Sequence, residues 1–162
     1  MKTANYSDTI ANAIKNSLET DNWHYTFNEA KGGFTFGLNM KGQLKKLNYT
    51  IIVHENSYSL YTTAPIGADP EDQDMMLRMA EFICRANYGL RNGNFELDMG
   101  DGEVRYKCYV YCEGITPTTE IVRTSVYVPA GMFERYAPGI LNIIFGGASA
   151  KDAVEKCENT QD

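Results

Sequence analysis

From Phe95 to Cys112 the chain keeps a two-residue period on both sides of a tight turn, and few folds can absorb that pattern. Phe95, Leu97 and Met99 alternate with Glu96 and Asp98, as expected of a strand with one wet face. Beyond Gly100-Asp101-Gly102, residues that tolerate positive φ, Val104, Tyr106, Cys108, Val110 and Cys112 take one side. Glu103, Arg105, Lys107, Tyr109 and Tyr111 take the other. A slip of one residue would drive charge into the core, so the pattern itself pins the register. Such a hairpin needs an apolar cover on one side only.

The preceding residues read as more of the same sheet. Ser7 can cap a helix running to about Leu18, with Ile10, Ala11, Ile14 and Leu18 on one face. From Trp23 the period is two, through Tyr25 and Phe27 to a turn at Lys31-Gly32-Gly33. Phe34, Phe36, Leu38 and Met40 mark a second strand, and Leu47, Tyr49, Ile51 and Val53 a third. Tyr58 to Thr63 makes a fourth. The links are too short for parallel crossovers, so neighbouring strands must run antiparallel.

Asp69-Pro70-Glu71-Asp72 is expected to open a helix, with a capping carboxylate and proline in the first turn. Met75, Met79, Phe82, Ile83 and Ala86 mark its buried side, widened by Met76 and Ala80, and Gly89 supplies a left-handed cap. After Gly114, Thr118-Thr119-Glu120 can start another helix. Pro129 and Pro138 predict two or three helical pieces between Thr119 and Phe145, because each removes a donor and crowds the preceding turn. Ser149 with Asp152 reads as the cap of a last helix to about Cys157, and Glu158 to Asp162 as a frayed tail. With no repeat or linker, residues 1–162 are expected to form one domain.

Composition narrows the function. An apolar share of 43% suffices for a core without staples. A net charge of −6 argues against nucleic acid, since Lys41, Lys45 and Lys46 form the only basic cluster. Neither a signal-peptide run nor a membrane span is evident, so a soluble cytoplasmic protein is expected. Cys84, Cys108, Cys112 and Cys157 lack C-x-x-C or ligand spacing, and Cys108 and Cys112 lie about 13 Å apart along a strand, too far to bridge. All four are expected to be reduced core thiols.

Few residues suggest chemistry. Glu96, Asp98, Asp101 and Glu103 could hold a hard cation, but the spacing is wrong for an EF-hand and a solvated acidic turn is the plainer reading. His24 and His54 alternate with the apolar sets and lack a neighbouring acid or nucleophile, as exposed sheet residues would. Gly146-Gly147-Ala148-Ser149 lacks the lysine and glycine spacing of a phosphate loop and reads as a helix cap. No catalytic residue, metal site or cofactor is expected. Arg105, Lys107, Tyr109 and Tyr111 have the composition of a protein interface, or else stabilise cross-strand pairs on a wet face. The methionines of the second helix suit either a core or a pliable binding surface.

The runs AEFICRANYGLRNGNFELDMGDGEVRYKCYVYCEG and FERYAPGILNIIFGGASAKDAVEKCE resemble the YbjN domain family, described as candidate bacterial sensory transduction regulators. The likeness is most specific at Asn87, Gly93, Phe95, Leu97, Gly102, Val104, Tyr106 and Gly146. Members resemble type III secretion chaperones in fold, and four strands before the central helix here depart from the usual three. The resemblance implies a bacterial cytoplasmic protein without known enzymatic chemistry, in a fold that dimerises and holds extended segments of other proteins.

The expectation is therefore an α+β domain with an antiparallel sheet, helices packed on one face, in the order α-β-β-β-β-α-β-β-α(α), type III secretion chaperone-like. Its expected role is a non-catalytic protein-binding module, chaperone-like or regulatory, for an unidentified protein partner or peptide segment. A small-molecule or ion-sensing regulatory domain is the alternative. Arg105, Lys107, Tyr109 and Tyr111 are the candidate partner-binding residues, and Met75, Met76, Met79 and Ile83 the candidate homodimer interface.

Overall fold

The computed structural model describes residues 4–159. Six strands, β1 (Tyr25–Asn28), β2 (Gly33–Asn39), β3 (Lys46–Val53), β4 (Ser57–Thr63), β5 (Asn94–Leu97) and β6 (Val104–Tyr111), join four helices. These are α1 (Asp8–Thr20), α2 (Gln73–Asn87), α3 (Thr119–Gly146) and α4 (Ala150–Glu158). The strands form one sheet in the order β1-β2-β3-β4-β6-β5, antiparallel throughout. This is the expected α+β architecture and element order.

Register follows the alternation. One row of partners runs Tyr25, Phe36, Tyr49, Thr62, Tyr106 and Phe95 across all six strands, and the next runs Phe27, Phe34, Ile51, Leu60 and Cys108. Both point to the side covered by helices, where Phe34, Ile51, Leu60, Phe95, Tyr106 and Cys108 are buried. Phe95 meets Tyr106, Phe133 and Tyr136 edge to face, at 4.8 to 5.6 Å between ring centroids, the arrangement that aromatic quadrupoles favour. The hairpin is thus sealed from above by α3.

Two buried tyrosines of this layer are paired with the helix that covers it. The Tyr49 hydroxyl donates to the Val126 carbonyl at 3.1 Å, and the Tyr58 hydroxyl lies 3.0 Å from Ser125 Oγ, which in turn reaches the Val122 carbonyl. Those bonds fix α3 along β3 and β4 as well as satisfying buried hydroxyls. At the other end of α3, Gly139 lets three helices meet. A Cβ there would stand 2.5 Å from the Phe82 ring of α2 and 2.8 Å from Cys157 Sγ of α4.

Several expectations are corrected. Residues 119 to 146 form one continuous helix with Pro129 and Pro138 inside it. Each proline deprives the carbonyl four residues earlier of its donor, at a cost of about 3 kcal/mol. Buried Val122, Val126, Pro129, Ala130, Phe133, Tyr136, Ala137, Ile140 and Ile143 offset it by packing on the sheet and on the neighbouring helices. Pro70 lies in a turn, and α2 begins three residues later with Asp72 as its cap, accepting from the Met75 amide. Trp23 and Met40 fall just outside β1 and β2. Met99 is exposed in the turn of the second hairpin, because pairing of β5 stops at Leu97. Cys84 is exposed on α2, whereas Cys108, Cys112 and Cys157 are buried thiols. Glu158 closes α4, and the rest of the expected tail, residues 160–162, lies outside the described residues.

Candidate functional site

The other face of the sheet has no helix over it. Here the outward rows run Thr26, Thr35, Thr50, Tyr61, Lys107 and Asn94, then Asn28, Gly33, Ile52, Ser59 and Tyr109, then Gly37, Asn48, Thr63, Arg105 and Glu96. The residues change character across the sheet. Threonine, asparagine and glycine occupy the β1 to β3 half, over a shallow hollow of about 410 Å³ with mostly apolar walls at Gly33, Thr35, Thr50 and Ile52. The β4 to β6 half carries rings and cations.

All four sequence-predicted partner residues lie in that second half, on β6. Tyr109 and Tyr111 are 57% and 58% exposed, unusually open for tyrosines on a sheet. Arg105 stands over the Tyr61 ring at 4.6 Å, with Lys107 at 6.0 Å, both within cation–π range. Glu96 on β5 accepts from Arg105 Nε at 2.7 Å and lies 3.6 Å from Lys107 Nζ. Partial burial would lower the Arg105 pKa, but the Glu96 hydrogen bond and charge prevail and raise it. The guanidinium is therefore held as a fixed cation beside a ring. Tyr61 was not singled out from the sequence, since its position opposite Lys107 depends on the β4–β6 pairing of distant segments.

Ser57 and Ser59 are nearly buried although they face outward, because Tyr109 and Tyr111 sit opposite them on β6.

The remaining candidates resolve differently. Asp98 Oδ1 accepts from the Gly100 amide and Asp101 Oδ1 from the Glu103 amide, so two of the four hairpin acids brace their own turn. With Glu96 engaged by cations, the acids are dispersed, and no group of three or more His, Cys, Asp or Glu among the described residues could hold a metal ion. His24 lies just before β1 and His54 just after β3, both exposed. Gly147 adopts the left-handed conformation that ends α3, and Ser149 caps α4 by accepting from the Asp152 amide, so the Gly-Gly segment joins two helices.

Of the four residues expected at a dimer interface, Met76, Met79 and Ile83 are buried within the single chain at 4%, 0% and 7% exposure. Met75 alone keeps partial access. The apolar girdle of α2 is spent on the α3 and α4 contacts and on β5, so it has no comparable area left for a second copy.

Sequence reasoning also missed the residues that hold the helical layer in place. Arg78 Nη1 donates to the Ile143 and Ala148 carbonyls at 3.1 Å, closing the C-terminal end of α3, while its Nε meets Asp74. Arg123 grips Asp21 with two nitrogens at the junction of α1 and α3, and this hydrogen bond holds the Asp21 carboxyl below its usual pKa. Comparison with protein-family models, curated proteins and solved structures gives no match. No helix among the described residues is long and apolar enough to cross a membrane.

Proposed function

We propose that this chain is a non-catalytic protein-binding module, chaperone-like or regulatory, acting in the bacterial cytoplasm as its YbjN-like stretches imply. The observation that carries the reading is a division of charge. Lys46, Arg105 and Lys107 against Glu96 give the six strands a net +2, all of it on the open face, so the remaining residues hold −8 of a chain whose net charge is −6. Tyr61, Tyr109 and Tyr111 stand on the Arg105 and Lys107 side of that face, whereas Lys46 lies across the sheet by Gly37. Rings and arginine are enriched where proteins meet, and local positive charge on an acidic molecule steers an acidic segment to that one place. An extended acidic stretch of a partner fits the exposed surface of β6, where Tyr109 and Tyr111 stand in line with Arg105 and Lys107. Single-stranded nucleic acid would also stack on tyrosines, but the overall negative charge opposes the phosphate contacts that supply its affinity.

Site-specific photo-crosslinking in cells tests this. A crosslinking amino acid at Tyr109 should yield a protein adduct of defined mass that one at exposed Leu77 on α2 does not. Identical patterns from both positions, or adducts removed by nuclease, would refute the reading.

The hollow over β1 to β3 supports a second reading, a small-molecule sensing domain, because its walls are mostly apolar. A ligand at a hundred times its dissociation constant adds about 2.7 kcal/mol of stability, which a thermal-shift screen detects. Absence of any hit from a metabolite set would remove it.

A further inference from the structure

The two edges of the sheet are finished differently. On β5, the Asn87 side chain occupies the edge: its Oδ1 accepts from the Phe95 amide at 2.7 Å and its Nδ2 donates to the Phe95 carbonyl at 2.9 Å. One side chain thereby takes the two bonds that a neighbouring strand would make to Phe95, and the edge is closed.

Among the described residues, no side chain bonds to the outward amides and carbonyls of β1. The Val53 amide donates to the Gly32 carbonyl at 3.0 Å, which sets the alternation on β2: Phe34 and Phe36 bond to β3, while Gly33 and Thr35 bond to β1. Thr26 and Asn28 are thus the β1 residues bonded inward, and Tyr25 and Phe27 turn their amides and carbonyls to the outside. The strand Tyr-Thr-Phe-Asn contains no charge and no proline, the devices that usually protect an exposed edge. Beside it lies a hollow of about 510 Å³ between Phe27 and the Ala11, Asn12 and Lys15 flank of α1.

We propose that β1 is a self-association edge, pairing antiparallel with β1 of a second copy about a two-fold axis at Thr26. The arrangement is self-complementary. Tyr25 then faces Phe27 of the second copy and Phe27 faces its Tyr25, so the four outward groups on each strand are satisfied reciprocally, as a two-fold interface requires. Both aromatic pairs fall on the α1 side of the sheet, where each Tyr25 keeps its own hydroxyl bond to Glu19 and each Phe27 its contact with Lys15. On the open side Thr26 meets its own copy, and no like charges oppose each other within the strand. The two six-stranded sheets become one. This inference is independent of the reading of the β4 to β6 half of the open face, since its contacts are the edge backbone, Tyr25, Thr26 and Phe27.

Thr26 is exposed, so its replacement leaves the core intact. Sedimentation velocity of the full chain across the micromolar range should give twice the chain mass. T26K and T26E should each sediment at the monomer mass with unchanged circular dichroism, because like charges then meet on the axis. Mixed in equal amounts they should recover the dimer, since opposite charges meet instead. A monomeric wild-type chain, a dimer indifferent to either substitution, or failure of the mixture to reassociate would each overturn the proposal.

Discussion

The two faces of the sheet come from the same strands, one residue out of phase, yet they differ in what each side chain touches. On the covered face, the Tyr49 and Tyr58 hydroxyls end on α3 and Phe95 meets two of its rings edge to face, so these groups depend on α3 being in place. On the open face, Arg105, Lys107, Tyr61 and Glu96 interact with one another, and Tyr109 and Tyr111 are more than half exposed, with the Tyr111 hydroxyl donating to Glu113. Under the function proposed above, stability and recognition fall on opposite faces of one sheet. Within any one strand, alternate positions then foretell which property a replacement changes.

Substitutions should expose that division. Phe95→Ala removes the ring at the centre of three aromatic contacts and should cost about 3–5 kcal/mol in urea unfolding. A loss below about 1 kcal/mol would mean that the covered face is less tightly packed than described. Alkaline titration should act on the same face. Burial pushes the Cys108 thiol up from 9.0 to about 12 and the Tyr58 hydroxyl up from 10.0 to about 12. Both folded values are raised, so their contribution is intact below the unfolded values and is lost as pH rises through the folded ones. Unfolding free energy should therefore fall from about pH 9 to about pH 12. A flat profile across that window would contradict the burial of these groups.

Tyr58→Phe deletes a single buried hydroxyl and leaves Ser125 Oγ its bond to the Val122 carbonyl, so about 1 kcal/mol is expected. Arg105→Ala on the opposite face should change stability by no more than about 0.5 kcal/mol, while weakening partner crosslinking at Tyr109. If Arg105→Ala destabilised the fold as much as Tyr58→Phe, the separation of the faces would fail.

Much of this was legible in the sequence because β-strands write their environment at period two. Leu47, Tyr49, Ile51 and Val53 were identified as inward from spacing alone, and all four are buried. The outward placement of Arg105, Lys107, Tyr109 and Tyr111 on β6 was equally legible. What escaped was whatever joins segments far apart in the chain. Asn87 on the β5 edge, Arg78 at the end of α3 and the Asp21–Arg123 pair carry no local signature, because their partners are set by tertiary packing. Cys84 was assigned by residue type, and its place on α2 puts it on the solvent side. The apolar stripe of Met76, Met79 and Ile83 was visible, but a stripe does not say whether its own chain or another covers it.

The prolines of α3 were misread for a related reason, and they have a consequence of their own. Two such residues and two internal glycines leave residues 119–146 with poor intrinsic helicity. Excised as a peptide, the segment should show almost no ellipticity at 222 nm. It acquires its rod shape only against a completed platform, which makes assembly hierarchical: the strands must be in register before the longest rod of the molecule can exist.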